Sequence, residues 1–132
     1  MVSQTLIQQF AEAVADEEGF YDGTNDIPVR ARNPCDITDD GNVGYGVIQT
    51  GGADGAKITI YPNLAAGWTA AYKKFGRALN GESEVYPITM TLEQFGMTYS
   101  GDPNWGVNVA AKLKVTPQTT LQQLVAANQG VA

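Results

Sequence analysis

Apolar and polar residues recur with a helical period along the first part of the chain. Between residues 4 and 18, apolar side chains return at spacings that place them on one face of a helix. These positions are Leu6, Ile7, Phe10 and Val14. Ser3 is suited to cap the start of this helix, and Gly19 is typical of a residue that ends one. The pattern therefore predicts an amphipathic first helix that ends at Glu18.

A different pattern follows this helix. Residues 22–42 are rich in Asp, Asn, Gly and Pro and predict an irregular loop. Two alternating runs come next, at 43–47 and 57–61, with a glycine-rich segment between them. Because alternation with a period of two favours strands, the sequence predicts a small β-hairpin with a long loop after the first helix.

Helical patterns return in the second half of the chain. A second helix is predicted to begin after Pro62 and Asn63 and to end near Asn80 and Gly81. The apolar face of this helix comprises Leu64, Trp68, Ala71, Tyr72, Phe75 and Leu79. The helical spacing of its three aromatic residues favours a place in the core.

Capping signals predict three further helices. They are a capping box at Thr91–Gln94, a cap with a first-turn proline at Asp102-Pro103, and a similar pair at Thr116-Pro117. The expected fold class is therefore α+β and mostly α-helical. The chain is expected to form a single domain over residues 1–127, with a frayed tail at 128–132.

Charge and composition narrow the classes of partner. The chain of 132 residues carries 8 basic and 14 acidic side chains, a net charge of −6, and no histidine. This balance argues against nucleic acid, because phosphate binding needs clustered Lys and Arg. Neutral sugars and small ligands remain open. With few other groups able to move protons, the carboxylates are the first candidates for chemistry.

The single cysteine and the hydropathy pattern exclude several classes of site. Cys35 has no second cysteine for an intrachain disulfide and no histidine with which to form a zinc site or a catalytic thiol pair. No apolar run reaches the roughly 18 residues of a membrane span, and the N-terminus does not resemble a signal peptide. We therefore expect no metal, no other cofactor and no membrane span.

An acidic segment at 36–42 has some features of a calcium loop. An EF-hand loop needs an oxygen ligand at its third position and a glutamate at its twelfth. Here Thr38 and Val47 occupy these positions, so a solvated turn is favoured.

Glu17 and Glu18 are two acidic residues at the predicted end of the first helix. The helix dipole disfavours acids at this end, which suggests a compensating role. Glu17 falls nearer the middle of the apolar face and Glu18 nearer its edge. Two interpretations stay open, a general acid whose pKa is raised by partial burial and a pair of surface side chains. Likewise, Tyr21, Tyr99 and Trp105 fit a sugar-binding role and a core role equally.

Several short motifs resemble, in their order, those of small lysozyme-like, lytic-transglycosylase-type domains of bacteria and phages. They are Glu-Gly-Phe-Tyr at 18–21, Arg-Asn-Pro at 32–34, Ile-Tyr-Pro at 60–62, Ala-Gly-Trp at 66–68, Met-Thr-Leu-x-Gln-Phe at 90–95 and Asn-Trp-x-x-Asn-Val-Ala at 104–110. The resemblance runs from about Leu6 to Val125. It implies a lysozyme-like fold, with a cleft between the helices and the β element.

The resemblance also implies a function. Glu18, which directly precedes glycine, would be the general acid in cleavage of peptidoglycan or a related amino-sugar polymer, by a muramidase or a lytic transglycosylase. The expected substrate-binding residues are Tyr21, Asn33, Asp36, Tyr61, Tyr99, Asn104 and Trp105. The protein would act as a monomer, in the periplasm, elsewhere outside the cytoplasm or in association with a phage.

Two residues depart from the motifs of that family. Cys35 and Asp36 stand where Asn-Pro-Gly-Asn has glycine and its second asparagine. The change to cysteine affects a backbone turn, and the change to aspartate supplies a possible second acid. An inactive glycan-binding module, or a structural module of a phage or cell envelope, is therefore the alternative function.

Overall fold

Helices form most of the regular structure in the residues that the computed structural model describes, which are 1–23, 26–38, 47–49 and 57–128. The helices in these ranges are α1 (Gln4–Glu17), α2 (Ile27–Arg30), α3 (Leu64–Leu79), α4 (Leu92–Tyr99), α5 (Pro103–Lys112) and α6 (Leu121–Asn128). Two short strands, β1 (Val47–Gln49) and β2 (Lys57–Thr59), complete the set. The expectation of a mostly helical chain is confirmed.

The first helix begins and ends close to the predicted residues. The Ser3 hydroxyl accepts a hydrogen bond from the backbone N–H of Leu6 at 3.2 Å, as an N-cap does. At the other end Gly19 adopts a φ of 87°, a conformation that favours glycine and turns the chain away from the helix axis. The end of α1 is therefore determined by the sequence locally.

The predicted irregular loop at 22–42 is wrong in one part, because α2 lies within it. Pro28 occupies the first turn of α2, where its missing N–H breaks no hydrogen bond. A helix of four residues is too short to show a hydrophobic period, so the sequence pattern gave no sign of it.

The two strands pair antiparallel, with Val47 opposite Thr59 and Gln49 opposite Lys57. Thr38 forms an isolated bridge with Ile58, which joins the segment after α2 to β2. Residues 43–46 and the predicted hairpin loop at 50–56 lie outside the described residues, so the complete hairpin stays a prediction.

Side-chain caps fix the starts of α4 and α5. Thr91 and Gln94 form the predicted capping box, with hydrogen bonds of 3.1 and 2.9 Å. The Asp102 carboxylate accepts from the N–H of Asn104 at 2.9 Å, directly before Pro103 as predicted. Both starts are confirmed.

The last helix begins later than predicted. The sequence placed its start at Thr116-Pro117, but the chain forms a turn there, and α6 begins at Leu121. Thr120 and Gln123 exchange hydrogen bonds of 3.0 and 3.1 Å and so form a second capping box. This box lies four residues after the predicted helix start at Thr116. Asn128, which was predicted to fray, belongs to α6, and residues 129–132 lie outside the described residues.

The chain divides into two compact units, each with its own set of buried residues. Unit 1 consists of Met1–Ala13 and Lys73–Ala132, and unit 2 consists of Val14–Tyr72. The single domain therefore remains a prediction. Leu64, predicted on the apolar face of α3, is 42% exposed, and that assignment is wrong.

The interior of unit 1 is dominated by aromatic rings, which we call the aromatic core. Its members are Phe10, Phe75, Tyr86, Phe95, Tyr99 and Trp105. The Phe95 ring lies within 6.2 Å of each of the other five ring centroids. Such contacts add to the free energy gained by burial.

Backbone contact at glycine shapes the core of unit 2. Gly67 in α3 packs so closely that a Cβ atom there would collide with the carbonyl oxygen of Arg32 and lie 3.0 Å from Pro34. The Gly-Trp motif therefore has a packing reason, because any side chain at residue 67 would push α3 off the turn that follows α2.

Candidate active site

The end of α1 places Glu18 at the centre of a group of acidic residues in unit 2. Its backbone N–H still bonds to the carbonyl of Val14 at 2.9 Å, so the helical geometry extends to Glu18. Its side chain is half-buried and forms a hydrogen bond with the side chain of Asp36. Glu18 is thus the residue of the helix end that meets the turn at 33–37.

Asn33 holds that turn in place. Its side-chain N–H groups donate to the carbonyls of Ile37 and Thr59, both at 2.9 Å, and its side-chain oxygen accepts from the N–H of Ile37 at 2.9 Å. Asn33 is 0% exposed. The sequence predicted a substrate contact here, but all of this amide is used to bind backbone, so Asn33 positions Asp36 instead.

Cys35 fits this turn because its neighbour Asp36, and not Cys35 itself, adopts the strained backbone conformation. Asp36 has a φ of 52°, in the left-handed region, whereas Cys35 does not. Asp and Asn enter this region more readily than most residues. Cys35 therefore needs no left-handed backbone conformation in this turn, and its sulfur is fully buried.

Burial and neighbouring acids alter the protonation of Asp36. Its pKa is raised to about 7 by burial first, then by the charge of Glu18, the hydrogen bond with Glu18 and the charge of Asp26. Its Oδ1 atom is buried and has no hydrogen-bond partner among the described residues. Near neutral pH, Asp36 is therefore close to half protonated, and the negative charge of Glu18 beside it is one of the causes.

The same surroundings suppress the chemistry of Cys35. Burial raises the pKa of its thiol strongly, and the charges of Glu18 and Asp36 raise it further. Because the thiolate is the reactive form, this cysteine is unsuited to nucleophilic catalysis.

Four aromatic rings in unit 2 form a continuous series, which we call the aromatic row. The Phe20 ring meets Tyr21 at 4.9 Å and Trp68 at 5.7 Å, and Trp68 stacks on Tyr72 at 5.9 Å. Tyr21 is 57% exposed, and the other three residues are half-buried. The predicted core position of Trp68 and Tyr72 is therefore only partly correct, since both side chains retain exposed surface.

Tyr61 is part of the framework of unit 2. Its side chain is 5% exposed. Its backbone N–H donates to the carbonyl of Ala31 at 2.9 Å, and its carbonyl accepts from Arg32 Nε at 2.6 Å. These backbone bonds tie the end of α2 to the segment that follows β2, and the burial of the side chain leaves little of the ring for the predicted glycan contact.

The remaining predicted site residues belong to unit 1. Tyr99 is half-buried, with its ring 5.2 Å from that of Trp105 and the Lys74 ammonium 5.7 Å from the ring centroid. Trp105 is 2% exposed and belongs to the aromatic core. Asn104 is exposed in the first turn of α5. The structure therefore groups Tyr21, Asn33, Asp36 and Tyr61 with Glu18 in unit 2, and the other three in unit 1.

Metal and membrane features can be assessed only for the described ranges. In them, no group of three or more His, Cys, Asp or Glu side chains is placed to hold a metal ion. Residues 39–42 of the candidate calcium loop lie outside those ranges. None of the described helices combines the length and apolar character needed to cross a bilayer.

No known protein family, curated protein or solved structure matches this chain. Its functional interpretation therefore depends on the Glu18–Asp36 pair and on the ordered motifs around it.

Proposed function

We propose that the protein has a lysozyme-like fold and cleaves the glycan strands of peptidoglycan between N-acetylmuramic acid and N-acetylglucosamine. The observation that carries this proposal is the hydrogen-bonded Glu18–Asp36 pair at the end of α1. A glycosidic oxygen is a poor leaving group and needs a proton from an acid that keeps one near neutral pH. Asp36, whose pKa is raised to about 7, keeps a proton near neutral pH and shares it with Glu18 through their hydrogen bond.

The short separation of the two carboxyl groups favours the lytic transglycosylase reaction. Glycosidases that use two carboxylates keep them about 5–9.5 Å apart, to leave room for the sugar or for water. Glu18 and Asp36 are joined directly by a hydrogen bond, which leaves no room for a sugar or a water molecule between them. A reaction with one acid/base residue fits this geometry better.

In that reaction Glu18 donates its proton to the bridging oxygen as the bond to the muramic acid C1 breaks. The 6-hydroxyl of the same muramic acid then attacks C1, and the Glu18 carboxylate takes up its proton. One glycosidic bond breaks, one intramolecular ether bond forms, and the acid is regenerated. Asp36 contributes by holding a proton before the substrate binds and by passing it to Glu18 through the hydrogen bond between the two side chains.

Substitution of Glu18 tests the proposal directly. We expect Glu18→Gln to lower the cleavage rate by at least about a hundredfold, because an amide cannot donate the proton. Glu17→Gln is the matched control, since it makes the same change one residue earlier in the same helix. Mass spectrometry of digested peptidoglycan should show anhydro-muramic acid ends, lighter than hydrolysed ends by one water.

The outcomes separate the alternatives. Equal cleavage by wild type and Glu18→Gln would exclude Glu18 as the acid, and loss of activity in Glu17→Gln alone would transfer the role to Glu17. Hydrolysed ends would identify a muramidase. Glycan binding without any cleavage would support the inactive module, which the engagement of Glu18 by Asp36 also fits.

A further inference from the structure

Phe20, the first residue of the aromatic row along the chain, comes two residues after Glu18. In space, the row leads from one exposed ring to three half-buried rings. Tyr21, at its outer end, is 57% exposed, although large apolar side chains usually gain free energy from burial. The aromatic core of unit 1 shows the contrast, since its Phe75, Phe95 and Trp105 are at most 2% exposed. The row therefore keeps aromatic surface available to a ligand.

The chemistry of the row matches one class of ligand. Tyr and Trp rings offer an apolar face with a polar group at the edge. A pyranose ring has the same division, with C–H groups on its face and hydroxyl or amide groups around its rim. Stacking of this kind needs no opposite charge, which suits a chain with a net charge of −6.

The packing of α3 fixes the row relative to the candidate acid. Gly67 packs against the carbonyl of Arg32 and against Pro34, and the next residue, Trp68, meets the Phe20 ring edge to face. The segment that Gly67 contacts leads directly into the turn that presents Asp36 to Glu18. Phe20 and Tyr21 at one end of the row, and Trp68 in its middle, are thus attached to elements that also position the carboxyl pair.

We propose that the aromatic row is a binding subsite for a neutral amino-sugar ring of the N-acetylglucosamine class. This inference rests on the proposed function and deepens it, because it names the part of the glycan that binds beside Glu18. The exposed ring of Tyr21 stacks on one sugar, Phe20 supports Tyr21 from behind, and Trp68 is the next ring of the row.

Tryptophan fluorescence provides the test, with the linear β-1,4-linked hexamer of N-acetylglucosamine as the probe. Acrylamide quenching reports mainly on Trp68, since the only other tryptophan, Trp105, is 2% exposed. The measurement is made in Glu18→Gln protein, so that the probe stays intact. We expect the hexamer to protect Trp68 from acrylamide in a saturable way.

Variants of Tyr21 then locate the contact. We expect Tyr21→Ala to weaken hexamer binding by about tenfold, the effect of losing one aromatic contact. Tyr21→Phe keeps the ring and should bind within about twofold of the parent. Val85→Ala, which alters an exposed apolar residue of unit 1, should leave the dissociation constant unchanged.

The proposal is overturned if the hexamer does not bind, if quenching of Trp68 is unchanged at saturation, or if Tyr21→Ala binds as tightly as Tyr21→Phe. These results are independent of cleavage. A protein that binds the hexamer through Tyr21 but cuts peptidoglycan equally well with and without Glu18 would support the subsite and exclude the proposed acid.

Discussion

The two groups of aromatic residues differ in what surrounds them. In unit 1, the Phe95 ring is 0% exposed and lies at the centre of the aromatic core. In unit 2, the aromatic row ends at a largely exposed tyrosine next to a pair of acids. Similar side chains are thus enclosed in one unit and partly exposed in the other, and burial is the property that separates the two groups.

A matched pair of truncations should give the largest effect. We expect Phe95→Ala to lower the free energy of unfolding by about 3–5 kcal/mol, because it leaves a cavity among enclosed rings. Phe20→Ala removes the same atoms from the half-buried row and should cost about 1–2 kcal/mol. Urea unfolding followed by circular dichroism measures both. Equal losses would contradict the distinction between core and row.

The next effect concerns the acid pair and depends on pH. The folded-state pKa of Asp36 is about 7, against 3.8 as its ordinary value, so between about pH 4 and 7 the folded protein binds more protons than the unfolded chain. Stability from this group is therefore fully present below pH 4 and is lost as the pH rises to 7. We expect Asp36→Asn to be about 2–3 kcal/mol more stable than wild type at pH 8 and equally stable at pH 4.

Asparagine is a suitable replacement because it tolerates the left-handed conformation at residue 36. Urea unfolding curves at several pH values would measure the difference. A gain that is the same at pH 4 and pH 8 would mean that Asp36 titrates normally, and the shared proton would then be excluded.

A smaller effect is expected at the contact that orients the row. Gly67→Ala forces α3 away from the carbonyl of Arg32 and should cost about 1–3 kcal/mol, as overpacking does. Thermal unfolding checks this loss. Ala66→Gly, at the preceding half-buried position, is the control, and should cost about 1 kcal/mol through helix propensity alone. If both variants unfolded at the same temperature, close packing at Gly67 would be ruled out.

Local signals account for the parts of the fold that the sequence predicted. The capping box at Thr91 and the Asp102-Pro103 pair act within one helical turn, so their residue types alone indicate the helix starts. The start of α6 was missed because Thr116-Pro117 also has the residue types of a helix start. The structure instead uses Thr120, which has a glutamine at the capping-box spacing and also forms a tertiary bridge with Thr91.

The candidate site was predictable only in part, for a related reason. Glu18 could be identified from its place at a helix end, but its contact with Asp36 joins residues 18 positions apart across a turn and α2. No spacing rule predicts such a contact. Asn33 was expected to meet substrate because of its place in the Asn-Pro motif, whereas its three bonds go to backbone groups that only the folded chain brings near.

The enclosed thiol of Cys35 has a consequence for following the protein in time. Its sulfur is buried in the turn that holds Asp36, so a thiol reagent can reach it only while that turn is open. The rate at which the Cys35 thiol is modified would therefore report how often this turn opens. With one cysteine in the whole sequence, the chain carries a reporter for the motion of the very segment on which its acid pair depends.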